Sequence, residues 1–342
     1  MSSLQFSDPR FSEIRIIDSH VHVFPDLVRS GVSLAEQLTQ TIGLESIGSS
    51  LEQYREKIQS ARSSIRGIRD WIMPALHDTQ VGVRILPSGV RKWVDELSAG
   101  TPLPGLLVES TAEDLLESMQ HLGIARALVI PHPPLMPSPR VYEITQSHEQ
   151  LLPVIHVGKD SSTVTQDIEE GVSHGAVAIK LHPASDGLGP DSVHYRDILD
   201  LADQHELPVI LHTGCFHTHV LYRGPEFGDP TQFESWFSEF PRVNFILAHM
   251  NMHEPDVAID LASRFENLWL ETSWQPAEAI GEAVRRVGAE RVLFGTDWPL
   301  LGSNQGIGLQ RIAQALDANF LTWEDTQKIL ASNSMQLFKI EV

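Results

Sequence analysis

Short apolar runs alternate along the chain with longer stretches of helical spacing. The runs predict strands over 14–18, 125–130, 152–156, 176–181, 208–212, 243–249, 268–272 and 292–296. Between them, apolar residues recur three and four apart over 112–122, 140–150, 164–174, 193–206, 230–240, 255–264, 276–287 and 306–319. A last helix over 323–338 closes the end. Spacing of three and four lines one face of a helix, whereas short runs rich in β-branched residues suit buried strands. Strands alternating with helices imply right-handed βαβ units and a parallel sheet. Eight units predict an α/β fold of the (β/α)8 TIM-barrel type. An open doubly wound sheet usually carries a glycine-rich turn after its first strand. Here the first run leads into His22-Val23-Phe24-Pro25, with no glycine.

Residues 25–105 break the rhythm. Helical spacing appears over 34–42, 51–65 and 90–97, separated by glycine, serine and proline. This predicts a mostly helical insertion between strands 1 and 2. It would cap the barrel mouth, where insertions shape the pocket, or serve packing and self-association, so a homo-oligomer stays open. Trp71, Met73 and Leu76 within it read as core. Residues 1–342 otherwise read as a single domain.

Composition narrows the partners. At 342 residues and 42% hydrophobic, the chain is ample for a large core. A net charge of −20 argues against nucleic acid. It leaves an anionic small-molecule substrate open, because a bound metal or an arginine can dominate one pocket. Cys215 is the only cysteine, which excludes an intrachain disulfide and a cysteine-based zinc site. Residues 1–10 have no apolar core of a signal peptide, and no apolar run reaches about 18 residues. The expectation is a cytoplasmic chain with no membrane partner.

The richest motif is Asp18-Ser19-His20-Val21-His22. Strand side chains two apart share a face, so His20 and His22 would project together at the end of strand 1. With 16 histidines in the chain, one H-x-H pair means little alone. Later strands end on Lys180-Leu181-His182-Pro183, His212-Thr213-Gly214, Ala248-His249 and Gly295-Thr296-Asp297-Trp298-Pro299. In a barrel these ends converge on the face where active sites are built. Imidazoles with a carboxylate suit zinc or a neighbouring first-row ion.

This ordered set resembles the amidohydrolase superfamily, specifically its amidohydrolase-related group of metal-dependent hydrolases and decarboxylases. The resemblance spans the barrel and both ends but not 25–105. It implies His20, His22, His212 and Asp297 as ligands of one ion per chain, zinc first, with manganese tolerated. His249 would be the nearby acid/base or electrostatic residue, or a ligand if a second metal binds. Asp297 would also take a proton from the metal-activated water, while His249 polarises the carbonyl or protonates the leaving group. Lys180 has three readings: a carboxylate-holding lysine, a carbamylated bridge between two metals, or a structural lysine.

Substrate contacts are expected from Lys180, His182, Arg223 and Trp298. A guanidinium at 223 could clamp a carboxylate, or lie solvated on the surface. Trp274 and Trp298 could stack on an aromatic substrate or pack on the rim. His132, His156, His217 and His219 are further mouth candidates, and Glu271 would pair with Lys180 or a histidine. Cys215 reads as a small buried residue.

The leading function is hydrolysis of an ester, lactone or amide in a small aromatic or carboxylated substrate. The alternative is non-oxidative decarboxylation of an aromatic or muconate-type acid. Some decarboxylases of the group open with an acid in place of the first histidine, and this chain keeps both histidines. A third reading is a non-catalytic barrel with a structural metal. Structural zinc is normally closed by four protein ligands, whereas these ligands face the mouth.

Overall fold

The computed structural model describes residues 6, 8–26, 86–87, 89–91, 110–214, 222–300 and 305–341. The expected helices over 34–42 and 51–65 lie outside them, as do most of 90–97 and Trp71, Met73, Leu76, Cys215, His217 and His219.

Eight strands form one sheet in sequence order, every neighbouring pair parallel. They are β1 (Ile16–Val21), β2 (Ile124–Val129), β3 (Leu151–Ile155), β4 (Ala178–Leu181), β5 (Val209–Leu211), β6 (Phe245–Leu247), β7 (Leu268–Glu271) and β8 (Val292–Leu293). Segments after β8 bond back to β1 and close the barrel. Ser19 N donates to Phe294 O at 2.9 Å, Asp297 N to His20 O at 2.8 Å and His22 N to Trp298 O at 2.6 Å.

The outer helices are α1 (Ala112–Leu122), α2 (Ser138–Ser147), α3 (Val164–Ser173), the single turn α4 (Pro183–Asp186), α5 (Val193–His205), α6 (Glu234–Glu239), α7 (Pro255–Arg264), α8 (Ala277–Val287) and α9 (Gln305–Asp317). α10 (Trp323–Gln327) and α11 (Asn333–Leu337) flank a π-helical turn. α1 begins where Thr111 and Asp114 cap each other's backbone N–H groups and ends on the left-handed Gly123.

Strand alternation builds two apolar layers. Ile17, Leu128, Val154, Ala178, Ile210, Ile246, Trp269 and Leu293, one from each strand, form a buried cluster with Leu337 and Phe338. This is the barrel interior, closed at the bottom by the C-terminal helix. Residues of the opposite parity, such as Val129, Ile179, Leu211 and Phe245, join the cluster beneath the helices. Two positions above the interior layer, the strands therefore aim His156, Lys180, His212 and Glu271 at the lumen.

β1 needs an extra device. Plain alternation would put His20 and His22 on the face opposite Ile17. Instead Asp18 pairs with Ala127 and Val21 with Val129, so three residues of β1 span two of β2. That one-residue bulge switches the face. Ile17 stays inside, Asp18 turns toward α9, and both histidines enter the lumen with the later strand ends.

Candidate metal centre

His20, His22 and Asp297 meet at the rim. Their ligand atoms lie within 4.8 Å of one another, as do those of His20, His249 and Glu271. The Asp297 Oδ1 atom stands 3.3 Å from His22 Nε2 and 3.5 Å from His20 Nε2. His22 Nδ1 is 2.9 Å from the Ile130 carbonyl, which only accepts. The proton therefore sits on Nδ1 and leaves a lone pair on Nε2. His20 Nδ1 is likewise 3.1 Å from Glu271 Oε2. Metal-ligating histidines typically carry this kind of support on the far nitrogen.

Burial sets the charges. It pushes His20, His182 and His212 well below the usual imidazole range and His249 down to about 4, so these rings are neutral near pH 7. Burial alone would raise Asp297, but His249, His22 and the 2.8 Å bond from Trp274 Nε1 outweigh it and hold the carboxyl at about 2. Burial pushes Glu271 up to about 7 against the bonds from the Ser273 and His249 N–H groups.

The buried atoms His20 Nε2, His212 Nε2 and Asp297 Oδ1 have no hydrogen-bond partner among the described residues. Buried polar atoms are normally satisfied. Neutral imidazole nitrogens facing an ionised carboxylate oxygen are what a divalent cation takes up, so these residues fit the ion that the motif order implies.

His212 belongs to neither tight trio. Its ring stacks on His182 at 3.7 Å between centroids and meets His249 edge-on at 5.0 Å. The Ser185 N–H donates to His182 Nδ1 at 3.2 Å, so His182 carries its proton on Nε2. Lys180 is buried among these histidines and depresses each of them. The Arg223 Cβ packs beside Gly187. The Trp298 indole is 2% exposed and lies in the core under the helices, so its contribution to the rim is the carbonyl that accepts from His22. The indole that reaches the centre is Trp274.

Three supports were assigned no role from the sequence. Asp18 is buried and its Oδ1 accepts from the N–H groups of His20 (3.2 Å) and Thr296 (3.1 Å). Its Oδ2 accepts from Thr296 Oγ1 (2.6 Å) and Gln305 Nε2 (2.9 Å). Ser273 sits between His249 and Glu271, at 2.6 and 2.8 Å. His249 also opens a run of four non-glycine residues with positive φ, at 62°, 42°, 61° and 47° through Met252. Trp274 (63°) and Asp297 (59°) share that strained conformation. Asn251 N donates to Thr213 Oγ1 at 3.1 Å, and Gln275 Nε2 donates to the carbonyls of His249 (2.5 Å) and Met252 (3.1 Å). Gly214 leaves the room: a Cβ there would stand 2.5 Å from the Asn251 carbonyl carbon.

Neutral histidines and a carboxylate gather on the C-terminal rim of a parallel eight-stranded barrel, the face on which barrel enzymes build their active sites. The family model for amidohydrolase, Amidohydro_2, matches residues 17–340, and the chain belongs to that family. It is 23% identical over 228 residues to gamma-resorcylate decarboxylase of Rhizobium sp. (strain MTP-10005), covering 54% of this chain and 68% of that protein. A dihydroxybenzoic acid decarboxylase from Polaromonas sp. JS666, solved with manganese and 2-nitroresorcinol, superposes with a TM-score of 0.56. It is 19% identical and covers 71% of this chain and 92% of its own. A probable 2-pyrone-4,6-dicarboxylic acid hydrolase from Acinetobacter baumannii superposes at 0.50 and 14% identity, over 68% of this chain and 90% of its own. The described residues contain no helix long and apolar enough to cross a membrane.

Proposed function

We propose that the chain is a metal-dependent decarboxylase of a small aromatic carboxylic acid. One divalent ion is held by His20, His22, His212 and Asp297. The observation that carries this reading is the alignment with the Rhizobium decarboxylase across most of that protein's length. Three histidines and a carboxylate suit zinc, and manganese fits the same donors. When bound, the ion supplies Lewis acidity and an anchor for substrate oxygens.

The chain's own residues do the rest. His182, with its proton on Nε2, and Lys180 are the donors that hold the substrate carboxylate. Arg223 is a further candidate, and Trp298 is a weaker one because its indole lies in the core under the helices. Loss of carbon dioxide leaves an electron pair on carbon that must take up one proton. His249 and Asp297 are the groups placed to move it.

Hydrolysis of a carboxylated lactone or ester is the second reading. The unpartnered, ionised Asp297 Oδ1 favours it, because that atom can take a proton from water.

The test is metal content per chain with His20→Ala beside it. It is followed by carbon dioxide release from hydroxybenzoates and by ring opening of lactones. One ion per chain, lost in the variant, with carbon dioxide release supports the first reading. Ring opening alone transfers the conclusion to the second. A native chain that binds no added zinc or manganese refutes both.

A further inference from the structure

We propose that Ser273 is a positioning residue that fixes His249 in one tautomer, with its proton on Nδ1 and the lone pair of Nε2 left for the substrate. The inference rests on reading His249 as a proton-moving group.

Its basis is the direction of a hydrogen-bond chain. Glu271 Oε1 accepts from the Ser273 backbone N–H, and Oε2 accepts from the His249 backbone N–H at 3.1 Å. Neither donor can reverse. His20 Nδ1 adds a third contact at 3.1 Å. Oε2 thus faces the His249 N–H and the His20 ring nitrogen as well as Ser273, which sets it as the acceptor toward the serine. The Ser273 hydroxyl, 2.8 Å away, must then give its only proton to Oε2. Its oxygen is left to accept from His249 Nδ1 at 2.6 Å. His249 Nδ1 lies 3.7 Å from Glu271 Oε2, so the serine bridges a gap too long for a direct bond.

The consequence is an order of events. Nε2 begins as an acceptor. It takes a proton from an O–H group, either water or a substrate hydroxyl, and that O–H bond breaks as the N–H bond forms. The imidazolium then returns the same proton to the substrate, on carbon in decarboxylation or on the leaving oxygen in hydrolysis. Nδ1–H···Oγ and Oγ–H···Oε2 persist in both states, so no dipole near the ring need reorient. The opposite chain, with Glu271 protonated and donating to Ser273, would put the His249 proton on Nε2 and make the ring an initial donor.

The experiment is ¹⁵N NMR of the full chain with ¹⁵N-labelled histidine, stripped of metal and again with zinc added. The His249 signals are assigned by their loss in His249→Gln. The expected result is a protonated-type Nδ1 and a bare-type Nε2 in both samples. Ser273→Ala should move both signals toward averaged values, and Ser273→Thr, which keeps the hydroxyl, should restore them. With an active substrate, Ser273→Ala should lower kcat by about 10- to 100-fold with KM held. A wild-type Nε2–H tautomer overturns the proposal, as does Ser273→Ala with an unchanged tautomer. If Ser273→Ala does not fold, the wild-type tautomer decides alone. The metal-free spectrum is independent of turnover, so failure here is distinct from failure of the decarboxylase reading.

Discussion

Replacing Glu271 by glutamine tests the support beneath the metal centre. The side chain is 1% exposed and accepts from His20 Nδ1, the His249 N–H, and both the N–H and hydroxyl of Ser273. Glutamine must put an NH₂ group where one oxygen stood. At Oε2 it faces the His249 N–H, and at Oε1 it faces the Ser273 N–H. Either way a buried backbone donor loses its acceptor, at a cost of about 1–3 kcal/mol. His20 suffers as well. Without a carboxylate on Nδ1, its proton is free to shift to Nε2, the atom assigned to the ion. Loss of such a supporting partner typically lowers metal affinity by about 10- to 100-fold, or roughly 1.4–2.7 kcal/mol. Affinity is read by competition with a chromophoric chelator, and stability by thermal melting of the metal-free chain. Glu271→Gln should bind zinc at least about tenfold more weakly and melt several degrees lower. If both values match wild type, the carboxylate oxygens are not needed to hold the His249 and Ser273 N–H groups or His20. The supporting role of Glu271 beneath His20 and His249 would then be refuted.

Three further outcomes follow from the geometry. His182→Phe should keep the stack on His212 and the metal affinity but weaken substrate binding, whereas His182→Ala should weaken both. Equal metal affinities in the two variants would show that the stack does not position His212. Gly295→Ala puts a Cβ 2.4 Å from Glu271 Oε1, so it should destabilise the chain by about 1–3 kcal/mol and weaken metal binding. Wild-type values for both would mean the carboxylate can yield.

Acid should unfold the metal-free chain early. His20, His132, His182, His212 and His249 are held well below their unfolded value of about 6.5. The unfolded chain therefore takes up protons first, and stability falls from about pH 6.5 toward pH 4. Asp18 and Glu271, both raised to about 7, oppose this by binding protons in the folded state. Five imidazoles against two carboxyls leave a net loss of stability as the pH falls through this window. A urea midpoint independent of pH across that window would contradict neutral buried rings.

The eight strands were legible because each is an apolar run bounded by turn residues, and α1 and α7 match their expected bounds at 112–122 and 255–264. Candidate ligands were legible because they end those runs. Strand ends were less so. The run over 243–249 reads as one strand, yet β6 stops at Leu247 because His249 enters the left-handed turn. The run over 292–296 yields only Val292–Leu293 as β8, because Phe294 N donates to the Ile329 carbonyl and Gly295 N to Thr272 Oγ1 rather than to a neighbouring strand's backbone. Alternation alone does place His20 with His22, but not with Ile17 inside the same lumen. The bulge that reconciles them has no residue signature. Glu271 was legible as a partner of a histidine. Ser273 and Gln305 were silent, and Asp18 stood in the motif without a role, because a buried polar residue declares its role only through neighbours distant in sequence.

The left-handed run from His249 to Met252 bears on what a portable version of this centre would contain. Each non-glycine residue in that conformation costs on the order of 1 kcal/mol, and the run does not hold itself. Thr213 and Gly214 after β5 and Gln275 after β7 hold it from either side. Grafting the four metal ligands and His249 onto another barrel would leave that turn free to relax, carrying His249 out of register with the ion. The transferable unit is an arc of three adjacent strand ends, and a transplant succeeds or fails on residues that touch neither metal nor substrate.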